Sequence, residues 1–481
     1  MKVRVLINRV RWRAKMKQIV NRILIATLLV SSVLLPASVA RAQAGITDDE
    51  IREILRDRVD VAKKSVGIVV GLVDDKGIRI ISYGKSNQNS GGMVNADSVF
   101  EIGSVTKVFT AILLAEMVER GEVSLSDPIS RYLPKSVKTP TRAGKEITLL
   151  DLASQTSGLP RLPGNFAPRD PQNPYADYSV EQMYAFISGY SLTRDIGTKY
   201  EYSNLGVGLL GHILALRART DYETLVRTRI SRPLKMTSTA ITLTPQMRVR
   251  LAAGHNSVRL PVSNWDLPTL AGAGALRSTV NDMLKFVAAN LGLKKSPLLA
   301  AMQKAHQSQH DTGGPDLEIG LGWHILKKFD TAIVWHNGGT GGYHSFIGFD
   351  QKRRKGVVVL SNSTNDIDDI GRHLLERQYP LAKFEAPKER KAIKLEAKIF
   401  DAYVGEYQLA PAFVITISRE GDQFFVQATG QGKFELFAET ETDFFLTVVD
   451  VQITFVKDDR GQVTHLVLHQ NKVDQPARKI K

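Results

Sequence analysis

The 481-residue chain contains no cysteine. That excludes a disulfide framework, a thiolate-bound metal, a cysteine nucleophile and a lipid-modified cysteine, whatever the compartment. Past the first forty residues it also lacks an apolar run of the roughly 20 residues that a membrane-spanning helix needs. Internal repeats and low-complexity tracts are missing, and with 43% hydrophobic and 23% charged residues the composition is that of an ordinary globular protein. Residues 1–44 hold nine Lys/Arg and no Asp or Glu. They account for most of the formal +15 and leave +6 for the remainder, so the basicity is not a nucleic-acid footprint.

What is present in residues 1–44 reads as an export signal. A basic segment precedes an apolar run, Ile23–Leu35, and small residues end in Ala42-Gln43-Ala44. This is the order of an n-region, an h-region and a cleavage site, with Met16 an alternative start and an uncleaved anchor the competing reading. The expected location is therefore the periplasm or the exterior, without a stable membrane span after cleavage.

The mature part divides in two by its patterning. Val66–Val73 and Ile78–Tyr83, joined by Asp74-Asp75-Lys76-Gly77, predict a β-hairpin. Val108, Phe109, Ile112, Leu113, Met117 and Val118 predict an amphipathic helix that stops at Gly121. Residues 160–175 carry five prolines and form a long irregular loop, of the kind that is often functional. Helices are expected at 180–190, 203–218, 278–292 and 366–378, and strands at Ala332–Trp335, Tyr343–Phe349 and Gly356–Leu360. A charged, Pro-containing linker at 384–396 then leads to six short aromatic strands: 413–417, 424–428, 434–437, 444–448, 453–456 and 463–468. The expected division is 1–44 signal, 45–383 a large domain of mixed helices and strands, 384–396 linker and 397–481 a small all-β domain.

Three constellations can carry chemistry. Ser104-Val-Thr-Lys107 places a hydroxyl and an amine on one helical turn, where burial would lower the Lys pKa and make the amine a base for the serine. Ser82-Tyr-Gly-Lys85 has the same spacing, but on a strand its ends face opposite ways. Tyr202-Ser-Asn204, at a loop-to-helix junction, offers a phenol that can shuttle a proton in phenolate-like form, and an amide that can hold a carbonyl. His336-Asn-Gly338-Gly339-Thr-Gly341-Gly342 has four glycines in five positions after a strand, which implies a close approach to the backbone by a substrate lying alongside. No Gly-Lys-Ser/Thr or GxGxxG follows it, which argues against a phosphate loop. His465 and His469 sit on a strand-like run and read as structural; no metal site and no cofactor is expected. Each motif taken alone has a plain alternative: a helix N-cap for Ser104, a hydrogen-bonded loop for Tyr202 and Asn204, a glycine turn for the third.

Taken in order, these motifs resemble the serine β-lactamase and penicillin-binding protein superfamily. The surrounding residues, Phe100-Glu-Ile-Gly-Ser-Val-Thr-Lys107, Gln155-Thr-Ser-Gly-Leu-Pro160, Tyr202-Ser-Asn-Leu-Gly206, Gly272–Ser278 and Trp335–Thr340, resemble its class C branch over about residues 48–380. That branch includes D-alanyl-D-alanine carboxypeptidases, D-aminopeptidases and family VIII esterases. The tail from Tyr403-Val-Gly-Glu-Tyr407 is similar to the lipocalin-like domain appended to many of these hydrolases. The resemblance implies an α+β fold, an antiparallel sheet flanked by helices with a helical subdomain, followed by a small barrel-like domain. It also implies roles: Ser104 is acylated, Lys107 takes its proton, Tyr202 assists proton transfer, with Lys107 and Tyr202 both open as the principal base. Asn204 holds the substrate carbonyl side, and the Ser104 and Gly339 N–H groups form an oxyanion hole beside Gly338.

One residue departs from the β-lactamase pattern: His336 stands where lysine is usual. An imidazole anchors a carboxylate less well than an ammonium, which favours esters, amides or D-amino-acid peptides over β-lactams. The alternatives are a class C-type β-lactamase and a non-catalytic penicillin-binding sensor. Peptidoglycan is a candidate partner; an anionic-polymer surface at Lys352-Arg-Arg-Lys355 is the weakest reading, a solvated turn the simplest.

Overall fold

The computed structural model describes residues 45–481 apart from 90, 385–389, 411–412, 430–431, 449–450 and 471–472. The proposed signal, residues 1–44, lies outside the described residues, as does part of the proposed linker.

The catalytic part is built on an eight-stranded antiparallel sheet. Its strands are β1 (Gly67–Asp74), β2 (Gly77–Gly84), β3 (His310–Asp311), β4 (Leu317–Ile319), β5 (His324–Lys328), β6 (Thr331–Gly339), β7 (His344–Asp350) and β8 (Lys355–Ser361). Their order across the sheet is β2-β1-β8-β7-β6-β5-β4-β3. The hairpin predicted from Asp74–Gly77 is present, with Asp74 opposite Gly77 and Gly67 opposite Gly84. β1 also pairs with β8, Ile68 facing Ser361 and Val73 facing Gly356, so the first strand lies inside the sheet. Its unbroken apolar run fits that place, because an inner strand covered on both faces has no polar side.

Four helices bear on the site: α1 (Thr106–Glu119), α2 (Asn204–Ala218), α3 (Val280–Asn290) and α4 (Leu299–Ala305). A fifth, α5 (Asp368–Leu375), packs against β7 and β8. α1 differs from the amphipathic helix expected. Thr106 to Ala115 are all buried, because α1 runs through the middle of the core and packs against α2 and α4. Its polar groups are matched inside: Thr110 Oγ1 donates to the Gly272 carbonyl at 2.8 Å, and Thr106 Oγ1 accepts the Leu276 N–H at 3.2 Å. Phe109 stacks on Phe286 of α3 at 4.2 Å between centroids. A helix buried all round shows no polar stripe, and its polar residues are those that can bond to backbone.

The C-terminal part is a nearly closed nine-stranded antiparallel barrel: β9 (Gly405–Ala410), β10 (Phe413–Glu420), β11 (Gln423–Ala428), β12 (Lys433–Glu435), β13 (Phe437–Ala438), β14 (Asp443–Phe445), β15 (Val451–Lys457), β16 (Val463–Gln470) and β17 (Val473–Lys479). The order is β12-β11-β10-β9-β17-β16-β15-β14-β13. The two edge strands, β12 and β13, are separated in the chain by Leu436 alone, so the sheet curls until its edges nearly meet. The single strand expected over 434–437 is thereby split between two edges, and the one expected over 444–448 spans Asp443–Phe445. Two further strands, β9 and β17, were not anticipated. The core gathers Phe400, Tyr403, Phe424, Phe444 and Phe455, with Phe400 stacked on Phe424 at 3.6 Å.

No helix among the described residues is long and apolar enough to cross a membrane. In the Lys352–Lys355 turn, Arg353 pairs with Glu376, Arg354 with the exposed Asp75, and Lys355 Nζ donates to the Leu374 carbonyl, so three of its four charges have partners within the chain.

Candidate active site

A single 3₁₀ turn, Gly103–Val105, delivers Ser104 to the N-terminal end of α1. Gly103 takes φ +48°, and a Cβ there would stand 2.9 Å from the Gly339 nitrogen and oxygen. Only glycine permits both the left-handed turn and the contact. Lys107 follows on the next turn and is fully buried. Its Nζ lies 2.9 Å from Ser104 Oγ, 2.9 Å from Asn204 Oδ1 and 2.7 Å from the Ala273 carbonyl. Burial, and next the charge of Arg161, hold the Lys107 amine well below the ordinary lysine range.

Tyr202 and Asn204 arrive on the start of α2. Ser203 caps that helix by accepting the Gly206 N–H at 2.8 Å, while its own hydroxyl donates to the Pro160 carbonyl at 2.6 Å. The cap thus ties the Tyr-x-Asn loop to the proline-rich segment. Asn204 Nδ2 in turn donates to Tyr175 of that segment at 3.2 Å. The Tyr202 ring has Lys107 Nζ 4.8 Å from its centroid and the Arg161 guanidinium 5.1 Å away. Burial pushes the phenol above its usual value, against a smaller opposing effect of the Ser104 hydroxyl. Burial thus favours the protonated phenol at Tyr202.

His336 lies on β6, buried, with Nδ1 2.6 Å from the Asn337 carbonyl. Its ring stands 5.1 Å from that of His324 on β5 and 6.4 Å from that of Tyr202. Burial, then the neighbouring His324 and Lys107, push its pKa well below the usual 6.5, and burial takes His324 down to about 4. The third motif carries no cation at neutral pH.

The glycines after His336 correct the expectation of a substrate approach at each of them. A Cβ on Gly338 would stand 2.0 Å from the Ile102 carbonyl and 2.9 Å from the Ser104 nitrogen, so what approaches there is the nucleophile's own turn. Gly341 makes room for the Trp265 indole, and Gly342 for Gly254. Gly339 alone opens onto empty space and is exposed.

The structure thus brings Ser104, Lys107, Tyr202, Asn204, His336, Gly338 and Gly339 together. It adds Arg161, Tyr175 and His324, which no motif marked, and joins Glu101 and Arg277, from two of the stretches that carry the resemblance, in a buried pair. Arg277 Nη2 lies 3.1 Å from Glu101 Oε1, which also accepts the Trp265 N–H at 3.0 Å. This pair fixes the strand that enters the Ser104 turn. His344, Asp366 and Asp368 also cluster within 4.8 Å, but Asp368 spends its oxygens on His344 and Asn337.

A serine beside a buried lysine amine, a phenol and the backbone amide of a strand-end glycine is the arrangement of a serine acyl-transferring hydrolase. The chain belongs to the Beta-lactamase family, whose model matches residues 51–378; a second family, a domain of unknown function (DUF3471), matches residues 389–480. It is 30% identical over 356 residues to the D-alanyl-D-alanine-carboxypeptidase/endopeptidase AmpH of Escherichia coli K12, covering 69% of this chain and 90% of that protein. Penicillin-binding protein 4* of Bacillus subtilis is 25% identical over 425 residues, covering 82% and 91%. Among solved structures, a β-lactamase/D-alanine carboxypeptidase from Yersinia pestis superposes with a TM-score of 0.60 at 26% identity, over 68% of this chain and 97% of that one. A class C β-lactamase from Rhodobacter sphaeroides shares the fold, with a TM-score of 0.59 at 23% identity, over 69% and 97%. The protein is a serine hydrolase with class C β-lactamase and D-Ala carboxypeptidase homologues.

Proposed function

We propose that this chain is an exported enzyme that cleaves esters, amides or D-amino-acid peptides, of the kind found in cell-wall peptide, through an acyl-enzyme on Ser104. The observation that carries the reading is the environment of Lys107 Nζ. A neutral amine has two N–H donors and one lone pair. Asn204 Oδ1 and the Ala273 carbonyl take the two donors, which leaves the lone pair for the Ser104 hydroxyl proton. Burial keeps the amine neutral, so Lys107 is the base and protonated Tyr202 the donor.

In the first half-reaction Ser104 Oγ bonds to the substrate carbonyl carbon and its proton passes to Lys107. The oxyanion is held by the N–H groups of Ser104 and Gly339, each such donor contributing roughly 2.7–4 kcal/mol in the transition state. The bond to the leaving oxygen or nitrogen breaks as Tyr202 gives its proton there and is reprotonated from Lys107. Water then attacks the acyl carbon by the reverse route. Asn204 steadies the substrate carbonyl side, and neutral His336 forms a wall. The names of the similar carboxypeptidases support D-amino-acid peptides. The near-closed barrel is consistent with the lipocalin-like reading of the tail.

Ser104→Ala is expected to abolish p-nitrophenyl ester turnover and covalent labelling by a fluorophosphonate or fluorescent penicillin; activity retained in that variant overturns the reading. Stoichiometric labelling of the wild type without turnover would mark a penicillin-binding sensor instead, and cephalosporins hydrolysed faster than esters a β-lactamase.

A further inference from the structure

Arg161 brings to the mouth of the site the charge that the third motif lacks. Its carbonyl accepts the N–H groups of Asn204 and Leu205 at 3.0 and 3.3 Å, which holds the proline-rich segment against the start of α2. From that anchor the side chain reaches the Tyr202 ring, its guanidinium carbon 5.1 Å from the centroid. Arg161 is exposed, and among the described residues no carboxylate or other hydrogen-bond acceptor engages its guanidinium. Neighbouring arginines are occupied: Arg194 by Glu201, Arg169 by Asp177, Arg277 by Glu101 and Asp266. A guanidinium that rests on an aromatic ring with its donors free is a preorganised receptor for a planar anion.

Position decides which part of the substrate meets this charge. Tyr202 gives its proton to the leaving atom in the mechanism above, so a cation against the Tyr202 ring adjoins the leaving portion rather than the acyl portion. We propose that Arg161 sets specificity by binding a carboxylate on the leaving portion of the substrate, as at the C-terminus of a peptide. The proposal rests on the acyl-enzyme reading and supplies the anchor that His336 does not.

The test compares two esters of one acyl group, with 3-hydroxybenzoic acid and with 3-hydroxybenzamide as leaving groups. They differ in the charge and not in the reacting bond. Removing Arg161 also relieves its effect on Lys107, but that alters both esters alike, so the informative quantity is the ratio of their kcat/KM values. The wild type is expected to favour the carboxylate ester, Arg161→Gln to lower the ratio about tenfold, and Arg161→Lys to restore part of it. Added NaCl should lower the ratio in the wild type and leave that of Arg161→Gln unmoved. A ratio unchanged by Arg161→Gln, or a wild type without preference for the carboxylate, overturns the proposal while leaving the role of Ser104 intact. A wild type that hydrolyses neither ester overturns both.

Discussion

Asn337 donates its side-chain N–H to Asp368 Oδ2 at 2.6 Å, which ties the strand between His336 and Gly338 to the start of α5. Asp368 is 5% exposed, and its other oxygen meets His344 Nε2 at 3.0 Å. The end of β6, where Gly339 faces open space, is thus braced from behind by a buried ionic group. Asp368→Ala leaves an amide and an imidazole without their acceptor, and is expected to cost about 3 kcal/mol in denaturant unfolding. A loss below about 0.5 kcal/mol would show that water replaces the carboxylate.

The same pair sets a pH dependence. Burial alone lowers the His344 pKa, but the hydrogen bond and charge of Asp368, with Asp366, outweigh it and raise it above 6.5. A histidine raised on folding adds stability that is fully present below its unfolded pKa and is lost as pH rises through the folded one. The Tm difference between wild type and His344→Gln should therefore be larger at pH 6 than at pH 8.5. Equal differences at both would contradict the pairing.

Lys107 must be neutral to accept the Ser104 proton. Because burial lowers its pKa, kcat/KM should rise with pH and level off well below the ordinary lysine value of about 10.4. A rate that still climbs at pH 10 would show that burial does not lower the amine's pKa. Lys107→Arg puts a cation there that cannot give up its proton, so it should lose roughly 10²–10⁴-fold in acylation rate.

The two adjacent glycines should answer differently to the same change. Gly338→Ala drives a methyl into the Ile102 carbonyl, and since both are backbone the strain cannot be relieved by a side chain. A loss of about 1–3 kcal/mol or more in stability is expected. Gly339→Ala meets nothing within 4 Å and should melt as the wild type does. Thermal melts of the two variants decide the point.

The C-terminal barrel touches the larger part of the chain: Asn256 Nδ2 donates to the Val448 carbonyl at 3.3 Å, and a cavity there is lined by Gln172 and Val262 on one side and Phe434 and Val448 on the other. Gln172 belongs to the loop that carries Tyr175. A chain ending at Lys383 should then turn over bulky esters faster, relative to small ones, than the full chain does. An unchanged ratio would make the barrel a docking module, and failure of the shorter chain to fold would refute the division at 384–396.

Much of this was readable in the amino-acid order. The β1–β2 hairpin, α2, α3 and the three strands β6 to β8 follow from apolar runs that match their burial. The chemical residues were legible because Ser104 and Tyr202 stand at helix starts and His336 shortly before the end of β6, where short motifs keep their spacing. Strand β17 was not, because Pro476 argues against a strand. The structure admits it because β9 pairs with β17 only at Lys479 and Arg478, leaving no β9 partner opposite the proline. β3 to β5 are short and polar at their exposed positions, so no alternation marks them. Arg161 escaped notice because its importance comes from the Tyr202 ring, forty residues further along the chain, and not from its own neighbours.

The place of β1 between β2 and β8 also sets an order of events during synthesis. The hairpin is made early, yet the inner edge of β1, with Val69, Val70 and Val73, has no partner until β8 has emerged. At ribosomal rates of about 5–20 residues per second that wait is on the order of tens of seconds, with an apolar edge open to other chains. The burden falls on whatever shields nascent polypeptide, and it is heavier for incomplete products. A chain cut anywhere short of β8 loses more than its last strand, since it also leaves its first without a neighbour.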